Sequence, residues 1–366
     1  MRPSTRIAGT LTGAMWALSV NAGPARRNGN ATLAGPSLTH WPAEAAASLD
    51  AMIAKNANSS NYAVFDMDNT SYRFDLEESL IPWLDNKGVL TRESLDPSLK
   101  LIPFRDNATH TESMYSYYLR LCDMDELLCY PWSAQVFAGL TLRELKGHVD
   151  DLLAHNGTVS TTYYDEDSGE AVAVEVSPPR IFRGQAELYN RLMANGIAVY
   201  VISAASEELV RMVASDPKYG YNVPAENVIG VTCFLRNTTS GDLVTARRQI
   251  EEGEYDPSAN LDLVYTAYLS TPATWMAGKF AAILTFIDNW RMPVLAGGDT
   301  PNSDGPMQFH GVDVSKGGIH LWVNRSSSAW EGISEMIEDF AGQQADLGLE
   351  VTADKNWVVV LPEEIL

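Results

Sequence analysis

Short, continuous apolar runs alternate with helical segments in the second half of the chain. The run Ile197–Ser203 (IAVYVIS) follows Phe182–Gly196, which has the apolar spacing of a helix and stops at a glycine. The same order of elements recurs at Asn227–Phe234, Met292–Asp299 and Gly318–Asn324. Fully apolar strands that alternate with helices are typical of a parallel sheet covered on both faces. The pattern therefore predicts an α/β fold whose functional residues lie at the carboxyl ends of the strands.

A first strand, Tyr62–Phe65, precedes these runs and is separated from them by a long stretch with a different pattern. Segments such as ESMYSYYLRLCDMDELL and WSAQVFAGLTLRELKGHVDDLL have helical spacing, many aromatic residues and few strand signals. We interpret residues 81–180 as a helical domain inserted into an α/β core over 61–80 and 181–366, after a lead-in segment over 23–60. A length of 366 residues suits two such modules.

The amino-terminal segment has the features of a cleavable secretory signal. Two arginines precede an apolar run from about Ile7 to Val20, which is shorter than a typical membrane-spanning helix. We therefore predict a signal peptide over residues 1–22, no membrane span, and a secreted, cell-surface or vacuolar glycoprotein. Asn-X-Ser/Thr acceptors that suit this location are Asn30, Asn58, Asn107, Asn156, Asn237 and Asn324.

Charge and cysteine content narrow the possible partners. A formal net charge of -21 argues against binding to nucleic acid or to an anionic membrane surface. An anionic substrate would need local positive charge, from a metal ion or a lysine. Cys122 and Cys129 would lie about 10 Å apart on one continuous helix, too far for a disulfide. With Cys233 the number of cysteines is odd, so buried thiols are expected.

Two carboxylates stand one residue apart at the end of the first predicted strand. Asp66 and Asp68 would project from the same face of the strand, only a few ångströms apart. Two like charges that close need a cation between them or a shared proton. Aspartate is also common in the turns that end strands, so the pair alone leaves both interpretations open.

Polar residues at the other predicted strand ends favour a functional site over a simple turn. Alone, a serine after a strand is usually a cap, and a lone lysine is usually a solvated surface charge. Together, carboxylates on the first and fourth strands can hold a hard cation, while serine and lysine can hold an anion. In chain order the set is Asp66, Asp68, Thr70, Ser203, Lys279, Asp299 and Asp304.

This order, DxDxT…S…K…GDxxxxD, resembles the phosphatases of the haloacid dehalogenase superfamily from about Tyr62 to Asn324. The longer runs DMDNTSYRFDLEESLIPWLDNKGVLTRESLDPSLKLIPF, YSYYLRLCDMDELLCYPW and GDTPNSDGPM resemble the phosphorylcholine phosphatases more narrowly. The resemblance implies a parallel-sheet haloacid dehalogenase-like core with an inserted helical cap domain. It also implies hydrolysis of a small-molecule phosphomonoester through an aspartyl phosphate, with Mg²⁺ as cofactor.

The resemblance also implies a role for each motif residue. Asp66 would attack phosphorus, and Asp68 would protonate the leaving alcohol and then deprotonate the attacking water. Thr70 would stabilise the loop that carries Asp66 and Asp68. Ser203 would donate a hydrogen bond to a phosphoryl oxygen, and Lys279 would neutralise the negative charge shared between the phosphate and the nucleophile.

The same resemblance implies the metal ligands. Mg²⁺ would bind Asp66, the main-chain carbonyl of Asp68 and Asp299, with Asp304 supporting the site directly or through water.

The inserted domain is expected to contact the leaving group. A trimethylammonium group would be bound by aromatic faces and carboxylates, and the candidates are Tyr117, Tyr118, Tyr130, Trp132, Tyr72, Asp75 and Glu112. Aromatic residues at helical spacing are also typical of core packing, so this interpretation stays open.

Two alternatives remain at this point. Asp75 stands nine residues after Asp66, the offset at which phosphoserine phosphatases place a carboxylate for the substrate amine, so another small-molecule phosphatase of the superfamily is possible. The second alternative is a secreted binding protein that kept the fold and lost turnover. The sequence carries no signal for an oligomeric state.

Overall fold

Thirteen strands occur in the residues that the computed structural model describes, which are 33–106, 108, 110–165 and 168–366. They are β1 (Tyr62–Phe65), β2 (Tyr72–Arg73), β3 (Val159–Tyr164), β4 (Ala171–Val176), β5 (Arg180–Ile181), β6 (Ala198–Ser206), β7 (Val228–Val231), β8 (Cys233–Arg236), β9 (Leu243–Val244), β10 (Val264–Leu269), β11 (Leu295–Gly298), β12 (Ile319–Val323) and β13 (Trp357–Val360). The predicted signal peptide and the acceptors Asn30 and Asn107 lie outside the described residues.

The helices of the described residues surround these strands. They are α1 (Ala43–Asn56), α2 (Leu76–Asn86), α3 (Met114–Met124), α4 (Glu126–Gln135), α5 (Leu142–Ala154), α6 (Arg183–Ala194), α7 (Glu207–Ala214), α8 (Ala246–Glu252), α9 (Pro257–Asn260), α10 (Gly278–Ala282), α11 (Pro301–Gly311) and α12 (Ser327–Asp346). In this part of the chain, no helix is both long enough and apolar enough to cross a bilayer.

Six parallel strands form the central sheet, in the order β13-β12-β11-β1-β6-β7. All four residues of β1 are buried, which explains why this strand is apolar without alternation. Because the strands are parallel, the residues that follow β1, β11 and β12 meet at one edge of the sheet. The predicted α/β fold class, with a parallel central sheet, is confirmed.

The segment between β1 and β6 contains the helices α2–α5 and also a hairpin that the sequence interpretation missed. Strands β3 and β4 pair in antiparallel register from Val159↔Val176 to Tyr164↔Ala171. Their β-branched and aromatic residues are typical of strands and could have revealed the hairpin. Residues Leu33–Leu366 form one compact unit, and the division into core and insertion at residues 81 and 180 stays a prediction.

The apolar run Asn227–Phe234 is two strands rather than one. The chain leaves the central sheet after β7, where the carbonyl of Thr232 accepts a hydrogen bond from the Ser270 amide at 2.8 Å. It then continues as β8, which pairs with β10 and β9 in a separate antiparallel sheet. Periodicity could not find this break because the apolar character continues through it.

The prediction that Cys122 and Cys129 do not pair is wrong. The two residues form a disulfide, with their Cα atoms 4.9 Å apart. The spacing argument assumed one continuous helix, but the chain becomes extended at Asp125 (φ −170°, ψ 126°), between α3 and α4. Cys233 is a buried free thiol, as expected.

Candidate active site

The centre of the site is built at the ends of two neighbouring strands. Asp66 follows β1 and Asp299 follows β11, and these strands pair in the register Phe65↔Gly297. The Asp66 amide continues this ladder by donating to the Gly297 carbonyl at 3.0 Å. The backbone of Asp66 is therefore fixed by the sheet, and Asp299 comes directly after the neighbouring strand.

Lys279, on α10, connects two of the carboxylates. Its Nζ lies 2.7 Å from Asp66 Oδ1 and 2.7 Å from Asp304 Oδ1, and its side chain is only 1% exposed. Burial alone would lower the pKa of Lys279, but the carboxylates of Asp304 and Asp66 outweigh burial and raise this pKa. The ammonium is therefore held charged beside Asp66.

The carboxylate of Asp304 binds backbone amides of the loop that carries Asp299. Its Oδ2 accepts hydrogen bonds from the amides of Asp299 and Thr300, at 2.8 and 2.9 Å, in the first turn of α11. Gly298 makes this approach possible, because a Cβ at that position would lie 2.5 Å from the Cβ of Asp304. Asp304 thus aligns the loop that carries Asp299 and anchors Lys279.

Asp299 is buried and accepts three side-chain contacts. Thr70 Oγ1 donates to Oδ1 at 2.7 Å, and Thr300 Oγ1 donates to Oδ2 at 3.0 Å. The guanidinium Nε of Arg325 lies 2.8 Å from Oδ2. Burial, followed by the charge of Asp304, raises the pKa of Asp299 to about 6. The raised pKa shows that these neighbours do not fully compensate the buried charge.

The carboxylates of Asp66, Asp299 and Asp304 have the arrangement of a metal site. Each offers an oxygen that lies within 4.8 Å of the other two, and all three residues are buried. Burial raises the pKa of Asp66 well above its usual range and the carboxylates of Asp304 and Asp299 add to this, whereas Lys279 opposes it. A divalent cation would act on Asp66 in the same direction as Lys279. These residues therefore fit a hard cation, which prefers oxygen ligands.

Asp68 is held differently from Asp66. Its Oδ1 accepts hydrogen bonds from the Tyr72 hydroxyl at 2.7 Å and from the Leu76 amide at 2.8 Å, at the start of α2. Burial raises the pKa of Asp68, although both hydrogen bonds act in the opposite direction. Because these two bonds fix one oxygen, Oδ2 is free to carry a proton, as a general acid requires.

A cavity of about 220 Å³ opens next to these groups. It is lined by Asp66, Asp68, Asn69, Asp75, Glu77, Glu78, Tyr118, Tyr130, Ser133, Ala204, Ala205, Lys279, Asp299, Thr300, Ser303 and Arg325. The carboxylates of Asp66, Asp68 and Asp299 and two tyrosines of the inserted segment thus line the same cavity.

Comparison with known proteins identifies the family. The chain is 63% identical over 328 residues to the phosphorylcholine phosphatase of Pseudomonas aeruginosa, and the match covers 90% of this chain and 93% of that protein. The chain belongs to the phosphorylcholine phosphatase family. It is a phosphoric monoester hydrolase of the haloacid dehalogenase superfamily, as the sequence motifs predicted.

No protein-family model matches the chain. A solved structure of a protein of unknown function from Anaerococcus prevotii DSM 20548 aligns with a TM-score of 0.55 at 17% identity, covering 82% of this chain and 92% of that one. This likeness supports the fold.

Three residues predicted to act in catalysis, Thr70, Ser203 and Asp304, are not among the residues that line the cavity. Thr70 and Asp304 are fully buried and hold Asp299, as described above. Ser203 is also buried, within β6, and its Oγ accepts a hydrogen bond from the Ala205 amide at 3.2 Å. Ala204 and Ala205 line the cavity instead. The catalytic roles of these three residues stay predictions.

The residues predicted to bind the leaving group fall into two sets. Tyr118, Tyr130 and Asp75 line the cavity of this phosphatase. Asp75 also caps α2, where its Oδ1 accepts the Glu78 amide at 2.7 Å. Burial, with the charges of Asp68 and Glu78, raises the pKa of Asp75 well above its usual range.

The second set lies outside the cavity lining. Tyr117 is fully buried, and its hydroxyl exchanges hydrogen bonds with the backbone of Ile102 at 2.9 and 3.0 Å. Trp132 donates from Nε1 to the Leu99 carbonyl at 2.9 Å and stacks on Tyr118, with ring centroids 6.2 Å apart.

The predicted leaving-group residue Glu112 is buried in an ion pair. Both of its carboxylate oxygens lie 2.8 Å from Arg120 Nη1, and the Arg105 amide donates to Oε2 at 2.6 Å. Tyr72, also proposed from the sequence, contacts Asp68 through its hydroxyl. These contacts suit a supporting role for Glu112, and direct binding of the leaving group stays a prediction.

Several residues that line the cavity were not predicted from the sequence, among them Glu77 and Arg325. Glu77 accepts hydrogen bonds from the Ser206 amide at 2.7 Å and the Ser133 hydroxyl at 2.8 Å, and so connects β6 with α4. Burial raises the pKa of Glu77 to about 8. Arg325 comes two residues after β12, and its position after an apolar strand was the one signal that could have identified it.

Proposed function

We propose that this phosphatase hydrolyses phosphorylcholine to choline and phosphate, with Mg²⁺ and through an aspartyl phosphate on Asp66. The observation that carries the proposal is the composition of one cavity. It combines the pair Asp66–Lys279 with two tyrosines, Tyr118 and Tyr130, and with three further carboxylates, those of Asp75, Glu77 and Glu78. The 63% identity to a phosphorylcholine phosphatase supports the same substrate.

In the proposed reaction, Asp66 attacks phosphorus and Lys279 offsets the negative charge that accumulates between the carboxylate and the phosphoryl oxygens. Asp68 donates its proton to the departing alcohol and then removes a proton from the water that hydrolyses the aspartyl phosphate. Asp66 and Asp299 would hold Mg²⁺, which supplies further charge neutralisation for the phosphoryl group when bound.

The choice of choline as leaving group rests on its chemistry. A trimethylammonium has no N–H donor, so carboxylates and aromatic faces are the groups that attract it. Tyr118 stacks on Trp132, and the carboxyl groups of Asp75 and Glu78 line the same cavity as Tyr118. Each aromatic contact contributes about 0.5–2 kcal/mol.

Substrate preference provides the direct test. We expect kcat/KM to be higher for phosphorylcholine than for phosphoethanolamine, phosphoserine or the neutral isostere 3,3-dimethylbutyl phosphate. Tyr118→Leu should reduce the preference for phosphorylcholine over the neutral isostere by roughly two- to thirty-fold, which corresponds to one aromatic contact. The control Tyr268→Leu changes an exposed tyrosine that is not among the cavity-lining residues and should leave the ratio unchanged.

The outcomes separate the candidate substrates. Preference for phosphoserine would replace this proposal with a phosphoserine-type phosphatase, for which Asp75 would be the amine-binding carboxylate. A clear preference for phosphorylcholine that Tyr118→Leu does not change would move the ammonium site away from Tyr118. Absence of turnover with every phosphomonoester would favour a binding protein.

Metal dependence has a readout that is independent of turnover. We expect chelation to stop hydrolysis and Mg²⁺ to restore it. Mg²⁺ at a hundred times its Kd should also raise the free energy of unfolding by about 2.7 kcal/mol. Asp299→Asn should remove most of this stabilisation, whereas the control Asp262→Asn, at an exposed ion pair with Arg143, should retain it. Full activity after exhaustive removal of divalent ions would contradict the metal assignment.

We also propose export into the secretory pathway. The basic and apolar amino terminus supports this, and so does the Cys122–Cys129 disulfide, because disulfides persist mainly in oxidising compartments. Amino-terminal sequencing of the mature protein tests the proposal. A mature chain that still begins at Met1 would contradict cleavage of a signal peptide.

A further inference from the structure

Arg325 is a cation at the active site to which the superfamily motifs assign no role. Its Nε lies 2.8 Å from Asp299 Oδ2, and its Nη2 donates to Thr300 Oγ1 at 3.2 Å. The side chain is 37% exposed and lines the catalytic cavity. It therefore contacts the carboxylate loop on one side and the open space on the other.

The charge of the cavity lining gives this position its significance. Six carboxylates line the space, those of Asp66, Asp68, Asp75, Glu77, Glu78 and Asp299. Among the described lining residues, only Lys279 and Arg325 carry permanent positive charge, and Lys279 is 1% exposed between two carboxylates. Arg325 is thus the better exposed of the two cations that can meet an incoming phosphoryl group.

The guanidinium also has donors to spare. A guanidinium presents five N–H donors in a planar fork, and the two contacts to Asp299 and Thr300 use Nε and Nη2. Such a fork matches the geometry of phosphoryl oxygens and forms short, charge-assisted hydrogen bonds with them.

We propose that Arg325 is a second phosphoryl-binding residue, which donates to the phosphoryl oxygens of the substrate and of the product phosphate. This role rests on the phosphatase activity of the chain and not on the identity of its alcohol. A divalent cation on Asp299 reduces the attraction of that carboxylate for the guanidinium, so the two cations compete for Asp299 while both attract phosphate.

The competing role is purely structural. If Arg325 only orients Asp299, its loss weakens metal binding and leaves phosphate affinity unchanged once metal is saturating. If it binds phosphate, its loss weakens phosphate binding at saturating metal and leaves metal affinity in the free enzyme unchanged or higher. The two affinities therefore change in different ways in the two cases.

The experiment compares Arg325→Gln, Arg325→Lys and the control Arg143→Gln, which removes the same charge from an exposed ion pair with Asp262. The competitive inhibition constant of inorganic phosphate is measured with an aryl phosphate substrate at saturating Mg²⁺. The Kd of Mg²⁺ is measured by calorimetry without substrate. Choline is tested as an inhibitor in parallel, to report on the rest of the cavity.

We expect Arg325→Gln to raise the inhibition constant of phosphate about ten- to a hundred-fold, the loss typical of a hydrogen bond to a charged group. Arg325→Lys keeps the charge without the fork and should give a smaller increase. The inhibition constant of choline and the Kd of Mg²⁺ should not rise, and Arg143→Gln should match the wild type.

A phosphate inhibition constant that is the same in Arg325→Gln and Arg143→Gln overturns the proposal, and weaker Mg²⁺ binding in addition assigns Arg325 to orienting Asp299. If Arg325→Gln does not fold, Arg325→Lys decides alone, because unchanged phosphate inhibition there overturns the role of the fork. Failure of choline to inhibit would count against phosphorylcholine as substrate and leaves the phosphate result valid.

Discussion

Asp66→Asn is expected to fold normally and to lose turnover by several orders of magnitude. An amide cannot act as the nucleophile, so the covalent route through an aspartyl phosphate is closed. The fold should survive because the amide oxygen can still accept the 2.7 Å contact from Lys279, and because the Asp66 backbone hydrogen bond to Gly297 does not involve the side chain. The measurement is kcat for an aryl phosphate, with circular dichroism as the check on folding.

A second measurement separates loss of the nucleophile from loss of the metal. Asp66→Asn also removes one carboxylate from the group formed with Asp299 and Asp304, so Mg²⁺ binding should weaken as well. Activity should therefore stay lost even at Mg²⁺ concentrations that saturate the variant in calorimetry. Recovery of activity at high Mg²⁺ would mean that Asp66 serves only as a metal ligand.

The sequence was sufficient to predict the position of those site residues that lie at or just after the end of a strand. Asp66 and Asp299 each follow an apolar strand directly, and Asp68 comes two residues after Asp66. In a parallel sheet, chain order and strand polarity bring such residues to one edge. Lys279 was grouped with the strand-end residues, but this placement is wrong, because Lys279 lies on α10. Its two contacts at 2.7 Å depend on how α10 packs, which local pattern does not encode.

The parts that were missed depend on contacts between distant segments. Glu77 joins the Ser206 amide of β6 to the Ser133 hydroxyl of α4, and neither partner is visible from the sequence around Glu77. The disulfide was missed because one extended residue, Asp125, breaks what apolar spacing suggests is a continuous helix. Tyr117 and Tyr118 are adjacent, yet Tyr118 lines the cavity while Tyr117 binds the backbone of Ile102. Spacing alone could not assign these two faces of α3 to cavity and interior.

These contacts also connect the inserted segment to the chemistry. Ser133 and Tyr130 belong to α4 and Tyr118 to α3, and the Cys122–Cys129 disulfide joins these two helices. The hydrogen bond from Ser133 to Glu77 connects this pair of helices with the carboxylates beside Asp68. The residues predicted to bind the leaving group and to donate the proton therefore line one cavity, whose walls come from both parts of the chain.

Asp68→Asn is expected to slow the two halves of the reaction to different extents, depending on the leaving group. An alkoxide such as that of choline is a poor leaving group and needs a proton, so loss of the general acid should lower kcat for phosphorylcholine by about 10²- to 10⁴-fold. An aryl oxide leaves without protonation, so formation of the aspartyl phosphate from an aryl phosphate should be much less affected. Hydrolysis of that intermediate still needs Asp68 as base, so the phosphorylated enzyme should accumulate.

Rapid mixing of Asp68→Asn with an aryl phosphate should therefore give a burst of aryl alcohol close to one per active site, followed by slow turnover. Mass spectrometry of the acid-quenched protein should show one added phosphoryl group, and the doubly substituted Asp66→Asn, Asp68→Asn protein should show none. Tyr72→Phe is the matched control, because it removes the 2.7 Å hydrogen bond to Asp68 Oδ1 and leaves the carboxyl group in place. It should slow both substrates alike and give no burst. An equal loss for aryl phosphate and phosphorylcholine in Asp68→Asn, without any burst, would assign Asp68 to a structural role at the start of α2, where it accepts the Leu76 amide.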